Sequence, residues 1–377
     1  MVPRGVKIGH ASNVEAATGC TVILCEKGAT AGVDVRGGGP ATRETDLLRP
    51  ENMVQQIHAV VLSGGSAFGL DAASGVMRWP EERGHGFDVG VARVPLVCGA
   101  SLFDLQVGRA DVRPDAAMGY AACEDAACLD ERPVAQGNVG AGTGATVGKL
   151  LGPQFSMKAG LGYASVVRGE LYVGALVAVN AAGHVVDEAG ATLAGTRDPE
   201  DVAREYPPVS SVQKDSGSRG LSVPVDVNAA ENSSQGAASG MHASARPARV
   251  LSPEEAFERM LDAADAAKEA GKAVSPFSGN ATIGCVITNA TLTKAQATKV
   301  SAMVHDAYAR AIRPVHTTND GDTVFTVATG ELAPDLMAGD SQAIVDTVGV
   351  LGTRAMEQAI RSAVMHAEPL CGVPTAL

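Results

Sequence analysis

The sequence predicts a layered α/β (α+β) fold, on three observations. Glycine-bounded apolar runs in the first half read as strands, and capping boxes followed by helical periodicity mark the last third as helical. Apolar residues make up 45% of the 377 and charged ones 19%, but aromatics only 3%, while glycine occurs 44 times. The core is therefore expected to be built from Ala, Val, Leu and Ile, with backbones approaching closely at many glycines. The length allows one large domain or two ordinary ones.

In chain order, Thr21-Val22-Ile23-Leu24 and Ala59-Val60-Val61-Leu62 are strand candidates. A helical pattern begins at Ser66-Ala67-Phe68-Gly69 and continues to about residue 83, with Ser66 read as its cap. Gly162 to Val167 and Leu171 to Val179, joined by Arg168-Gly169-Glu170, read as a hairpin. From Pro207 to Pro247 the chain turns to Ser, Gly, Ala, Asn and scattered charge. So little apolar surface cannot offset the entropy of ordering, and 207–247 is expected to be a mobile insert.

Helical order resumes at Ser252-Pro253-Glu254-Glu255, a capping box with Pro at the first helical position, and the helix should end near Gly271. Ile283 to Ile287 reads as a strand. Thr293-Lys294-Ala295-Gln296 makes a second capping box, after which Ala297, Val300, Val304, Ala307, Tyr308 and Ala311 keep the helical period until Pro314 stops it. Val324 to Val327 is a strand, and Ser341 to Met365 is helical, with Gly349 and Gly352 as close-packing points.

Thirty basic and forty-two acidic side chains leave a net charge of -12, and no long Lys/Arg run exists, which argues against nucleic acid or an anionic membrane as partner. No segment reaches the roughly eighteen apolar residues of a membrane span, and the N-terminus lacks the apolar core of a signal peptide, so a cytoplasmic location is expected. Seven cysteines are an odd number for a disulfide framework, and Cys123 and Cys128 stand too isolated for a zinc site. Free thiols, and no metal or cofactor, are the expectation.

Gly140-Ala141-Gly142-Thr143-Gly144-Ala145-Thr146-Val147-Gly148-Lys149 invites a phosphate-loop reading that its register refuses. Thr143 stands where a P-loop needs Gly, and Leu150 where it needs Ser or Thr. The glycines are better read as bringing the backbone close to another layer or a substrate, with Lys149 delivered into the cleft; alone, Lys149 would be read as a surface lysine. Gly64-Gly65-Ser66-Ala67-Phe68 misses the nucleophile elbow at Phe68, and no histidine is tied to a Ser or Cys. Asp320-Gly321-Asp322 alone is a turn; in an amidase, such a pair could orient a nucleophile and shuttle a proton.

Taken together, Asn138 to Ala145, Gly148-Lys149, Val179-Asn180, Gly279-Asn280-Ala281-Thr282 and Asp320-Gly321-Asp322-Thr323 resemble the L-aminopeptidase/D-esterase (DmpA-type) family and, within it, most of all the endo-type 6-aminohexanoate-oligomer hydrolases, the nylon hydrolases. The resemblance covers nearly the whole chain outside 207–247. It implies a four-layer αββα sandwich of N-terminal-nucleophile type, spanning 1–377 as one domain. It implies a precursor cut between residues 280 and 281 into a large subunit, 1–280, and a small one, 281–377. A homotetramer and small amide or oligopeptide substrates come with it.

Position by position, Asn280 would supply the scissile bond and residue 281 the Thr or Ser nucleophile. Lys149 and Asn180 match the family's supporting polar residues, and Asp320 and Asp322 its acidic pair. Phe103 stands where relatives carry a tyrosine near the substrate, so a hydrogen bond open to them is lost. After cleavage a free α-amino group, with a pKa of roughly 7.7 to 8.0, can serve as base for the hydroxyl on its own residue. Asn180 and a backbone N–H are the candidate oxyanion donors.

In this chain, residue 281 is alanine. Without a hydroxyl it should neither cut itself nor turn over substrate. Thr282 is no substitute if 281–288 is a strand, because neighbouring side chains point to opposite faces. With every supporting residue in place, an uncleaved, inactive and engineered precursor fits better than a natural pseudoenzyme. Alternatives are an aminopeptidase or D-amidase acting on short peptides, an acyltransferase of similar fold, and a non-catalytic scaffold.

Overall fold

The apolar runs sort into two sheet halves that share one long strand. The computed structural model describes residues 2–128, 133–205, 247–270, 279–332 and 341–376. Its nine-stranded sheet contains β1 (Lys7–Asn13), β2 (Thr18–Val35), β3 (Thr42–Arg43), β4 (Ile57–Ser63), β5 (Val97–Ser101), β6 (Leu161–Arg168), β7 (Leu171–Asn180), β8 (Ala281–Thr288) and β9 (Thr323–Ala328). The first part of β2 pairs antiparallel with β1 and β4, and its last part pairs antiparallel with β9. Between them the register to β4 shifts from Leu24 to Ala29, and Gly28 takes a φ of 85°, open to glycine at little steric cost. A break of this kind bends a strand and raises its twist. One sheet thus folds into two halves, β1-β2-β4-β5-β3 and β2-β9-β8-β7-β6.

Side-chain alternation then sets the layers. From one half, Ile23, Val60, Leu62 and Cys98 point between the sheets, where they meet Leu176, Ala178, Ile283, Cys285 and Phe325 from the other. The opposite parity points outward. Val22, Leu24, Ala59 and Val61 pack under α1 (Ala72–Glu81) and α2 (Ala116–Ala127). Val173, Ala175, Val177 and Val286 pack under α5 (Lys294–Ala311) and α6 (Ser341–Met365), which follow α3 (Pro199–Glu205) and α4 (Pro253–Glu269) along the chain. The order is αββα, as the family resemblance implies. Because both faces are covered, these strands are apolar on both sides.

Glycine lets the helices approach this closely. A Cβ on Gly9 would overlap the backbone of Ala122 and Ala126, and one on Gly162 the carbonyl of Ala359. Gly352 lies against Val304, where an added Cβ would come to 3.1 Å. Small residues in place of aromatics are what such close layers require.

The hairpin forms as expected, with Gly169 at a φ of 60°. Both capping boxes form, Ser252 with Glu255 and Thr293 with Gln296. Ser66 departs from expectation. It caps nothing; it opens a short 3-10 turn, Ser66–Asp71, at a φ of 56°, and α1 begins only at Ala72. The buried Asp104 carboxylate holds this turn from below, accepting from the Gly65 amide at 2.7 Å, so the side chain of Ser66 is not needed there.

A second compact unit, Asp198–Arg249, is described only at its ends. It contains α3 (Pro199–Glu205), and Asp198 pairs with Arg249 at 3.2 Å. The insert expected at 207–247 falls outside the described residues except for Pro247. In the first unit, α4 (Pro253–Glu269) follows.

Candidate active site

Register brings the predicted residues together. Asn180 at the end of β7 and Ala281 at the start of β8 are direct antiparallel partners. Opposed residues of this kind share a face, with Cβ atoms roughly 4.5–5.5 Å apart. That face is the one between the sheets, since Ala281 belongs to the inter-sheet core with Ile283 and Cys285. On the other side of β8, Asn280 bridges in parallel to Asp320, just ahead of β9. The Asn280 amide donates to the Asn319 carbonyl at 3.2 Å, and the Asn280 carbonyl accepts from the Gly321 amide at 3.0 Å. The carbonyl of the bond expected to break is therefore held by a backbone donor. Glycine at 321 also leaves room, because a Cβ there would lie 3.3 Å from the Ala281 methyl.

Lys149 overturns the surface reading of an isolated lysine. It is 3% exposed and donates from Nζ to Asn180 Oδ1 at 2.6 Å. The same oxygen accepts from the Thr146 amide at 3.1 Å, while Asn180 Nδ2 donates to the Phe103 carbonyl at 2.8 Å. These bonds fix which way the Asn180 amide faces. Burial lowers the Lys149 pKa to about 7, against the opposing pull of Asp320 and Asp104. An amine poised there can carry or give up a proton at neutral pH.

The two aspartates are held differently. Asp320 Oδ2 accepts from the Thr317 amide at 2.8 Å and its hydroxyl at 2.6 Å, while its buried Oδ1 has no hydrogen-bond partner. Burial and the neighbouring Asp322 raise the Asp320 pKa. Asp322 Oδ1 accepts from the Thr282 amide at 2.7 Å, and its Oδ2 accepts from the His316 amide at 3.1 Å. Asp322 thus grips the backbone beside position 281, and Asp320 keeps an oxygen open. The Thr282 side chain shares the parity of Gly284, whose α-carbon faces Tyr308 and Met356, so its hydroxyl points to the helical side. The ring of Phe103 lies on Gly279, where any Cβ would overlap it.

Three polar residues that carried no sequence signal complete the surroundings. Lys158 is fully buried and donates to the carbonyls of Gly142 at 3.1 Å, Ala145 at 3.0 Å and Ala159. It closes the glycine-rich turn from inside. That turn is a packing device: a Cβ on Gly142 would overlap the Leu161 amide, and one on Gly148 the Gly195 backbone. Asp104 accepts from the Thr18 hydroxyl at 2.8 Å and sits within electrostatic reach of both lysines, its own pKa raised by burial. His316 is the third. A lone Lys, Asp or His outside a motif gives a reader of the sequence nothing to hold.

Among the described residues, no group of three or more His, Cys, Asp or Glu could hold a metal ion, and no helix is long and apolar enough to cross a membrane. Residues 3–376 match peptidase family S58. The chain belongs to that family. An uncharacterized aminopeptidase of Mycobacterium tuberculosis is 37% identical over 393 residues, covering 98% of this chain and 94% of that protein. A 6-aminohexanoate-oligomer endohydrolase of Kocuria sp. is 28% identical over 363 residues, covering 95% and 84%. Among solved structures, the L-aminopeptidase D-Ala-esterase/amidase of Ochrobactrum anthropi, described as a variant of the Ntn-hydrolase fold, aligns with a TM-score of 0.60 at 17% identity, over 98% of this chain and 86% of that one. A Burkholderia sp. beta-aminopeptidase aligns at 0.58 and 20%, over 97% and 85%. At these identities the structures establish the Ntn-hydrolase fold, and the S58 family makes the chain a relative of peptidases and amide hydrolases.

Proposed function

We propose that this S58 chain is the uncleaved, inactive precursor form of an amide hydrolase that matures by cutting between residues 280 and 281. The observation carrying this is the placement of the Ala281 methyl. It lies opposite Asn180, which Lys149 holds, and beside the Asp320–Asp322 turn, while the Gly321 amide donates to the Asn280 carbonyl. Every part the chemistry needs surrounds a side chain that lacks the reacting atom.

With Thr or Ser at 281, the hydroxyl oxygen attacks the Asn280 carbonyl carbon and the Gly321 amide meets the developing oxyanion. The C–N bond breaks, the nitrogen of residue 281 takes the proton, and an ester remains. Water cleaves that ester, leaving a carboxyl on 280 and a free amino group and hydroxyl on 281. The new amine then acts as base for the same hydroxyl against a substrate amide. Its substrates are 6-aminohexanoate oligomers or small peptides; the higher identity to mycobacterial aminopeptidases favours trying short peptides first. We further place it as a cytoplasmic homotetramer.

Intact mass and a denaturing gel test this directly. The present protein should be one 377-residue species. The Ala281→Thr chain should split into 1–280 and 281–377 and gain amidase activity. A single inert chain after that substitution would overturn the proposal.

A further inference from the structure

The segment before β9 holds both aspartates by two consecutive residues. Thr317 takes Asp320 with its amide and hydroxyl. His316 takes Asp322 Oδ2 with its amide at 3.1 Å and with ring Nδ1 at 2.8 Å. To do so His316 adopts a φ of 57°, a left-handed conformation that a non-glycine residue holds only when its surroundings insist. They do insist. The ring stacks on Tyr308 with centroids 6.0 Å apart and meets the edge of His305 at 4.9 Å. Asp322 itself is 1% exposed, and its other oxygen receives the Thr282 amide.

We propose that His316 is a positioning residue of the reaction at 281: it fixes Asp322, which fixes the Thr282 amide, which sets residue 281 against Asn180, Lys149 and the open oxygen of Asp320. Asp322 has both oxygens engaged in this chain of bonds, so its task is to hold the β8 backbone, and Asp320 is the carboxylate left to face the reacting groups. The inference rests on residue 281 being the nucleophile position, yet its geometric half stands in the alanine chain as well.

Two variants separate the ring from the turn. His316→Gly removes the imidazole while accepting the left-handed backbone, so the hydrogen bond from the backbone N–H of residue 316 to Asp322 Oδ2 can persist. His316→Asn also tolerates that backbone and offers a side-chain amide donor to Asp322. In the Ala281→Thr chain, His316→Gly should slow self-cleavage roughly tenfold or more, because a small misplacement at a reacting centre is costly in rate, and His316→Asn should recover most of it. After cleavage the loss should fall on kcat, with KM little changed.

In the present Ala281 protein, hydrogen exchange gives a second reading independent of activity. His316→Gly should speed exchange of the 281–284 amides and leave those of α2 unchanged, and His316→Asn should restore protection. Equal cleavage and equal exchange in His316→Gly would overturn the proposal, as would equal loss in both variants, which marks a role in packing alone. Should the Ala281→Thr chain stay uncut, the nucleophile reading fails, and the exchange data still decide whether His316 holds the strand.

Discussion

In an Ala281→Thr chain, Lys149→Met is expected to lower self-cleavage and amide turnover by roughly 10²–10³-fold, the scale of removing one preorganised electrostatic group. Before cleavage no free amine exists at 281, so the base must come from the surroundings. Lys149, lowered to about 7 by burial, is neutral in a large fraction of molecules at physiological pH and has a lone pair to offer. Cleavage should therefore rise with pH through about 7 and level off above it, and Lys149→Met should erase that inflection. A pH profile unchanged by the substitution would remove Lys149 from the proton transfer.

Stability should move the other way. The folded pKa of Lys149 lies below its ordinary 10.5, so the folded state binds fewer protons between about 7 and 10.5, and the burden on folding is full below about 7 and fades as pH rises. Met removes the burden, and Asn180 Oδ1 keeps the Thr146 amide as donor. Urea unfolding at neutral pH should show the Lys149→Met protein at least as stable as its parent, the signature of a group retained for chemistry.

Which parts of this arrangement a sequence discloses depends on whether the cause is local. The capping boxes at Ser252 and Thr293 are local, and both helices start where they indicate, at Pro253 and Lys294. Strands buried on both faces show as short apolar runs, such as Ala59-Val60-Val61-Leu62 within Ile57–Ser63. By contrast α2, rich in Ala and capped by Asp115 alone, has no clear apolar stripe to reveal it. The site divides in the same way. Gly279-Asn280-Ala281 and Asp320-Gly321-Asp322 are visible as motifs, but their meeting depends on the β7-β8-β9 register. The 3.1 Å and 2.8 Å contacts of His316 to Asp322 depend on a backbone conformation that sequence alone does not prescribe at a histidine.

Lys158 is the counterpart that should behave oppositely to Lys149. Burial lowers both to about 7, yet Lys158 faces three carbonyls, and three acceptors call for the three N–H groups of an ammonium. Lys158→Met would take that donor from all three; the Gly142 carbonyl keeps the Ala145 amide at 3.3 Å and the Ala145 carbonyl the Ala159 amide at 3.0 Å, while the Ala159 carbonyl loses its side-chain donor. Leaving a buried acceptor short of its donor costs roughly 1–3 kcal/mol, and the lost bonds belong to the turn that carries Thr146 and Lys149 toward Asn180. Urea unfolding should therefore show a stability loss of about 1–3 kcal/mol in Lys158→Met, and the Ala281→Thr chain carrying it should cleave slowly even where it remains folded. A loss below about 1 kcal/mol, in the range of an ordinary surface change, would mean that water or backbone movement satisfies those carbonyls. The two lysines share type, burial and direction of shift; what separates them is that one ends on a side-chain amide beside the nucleophile position and the other on bare backbone.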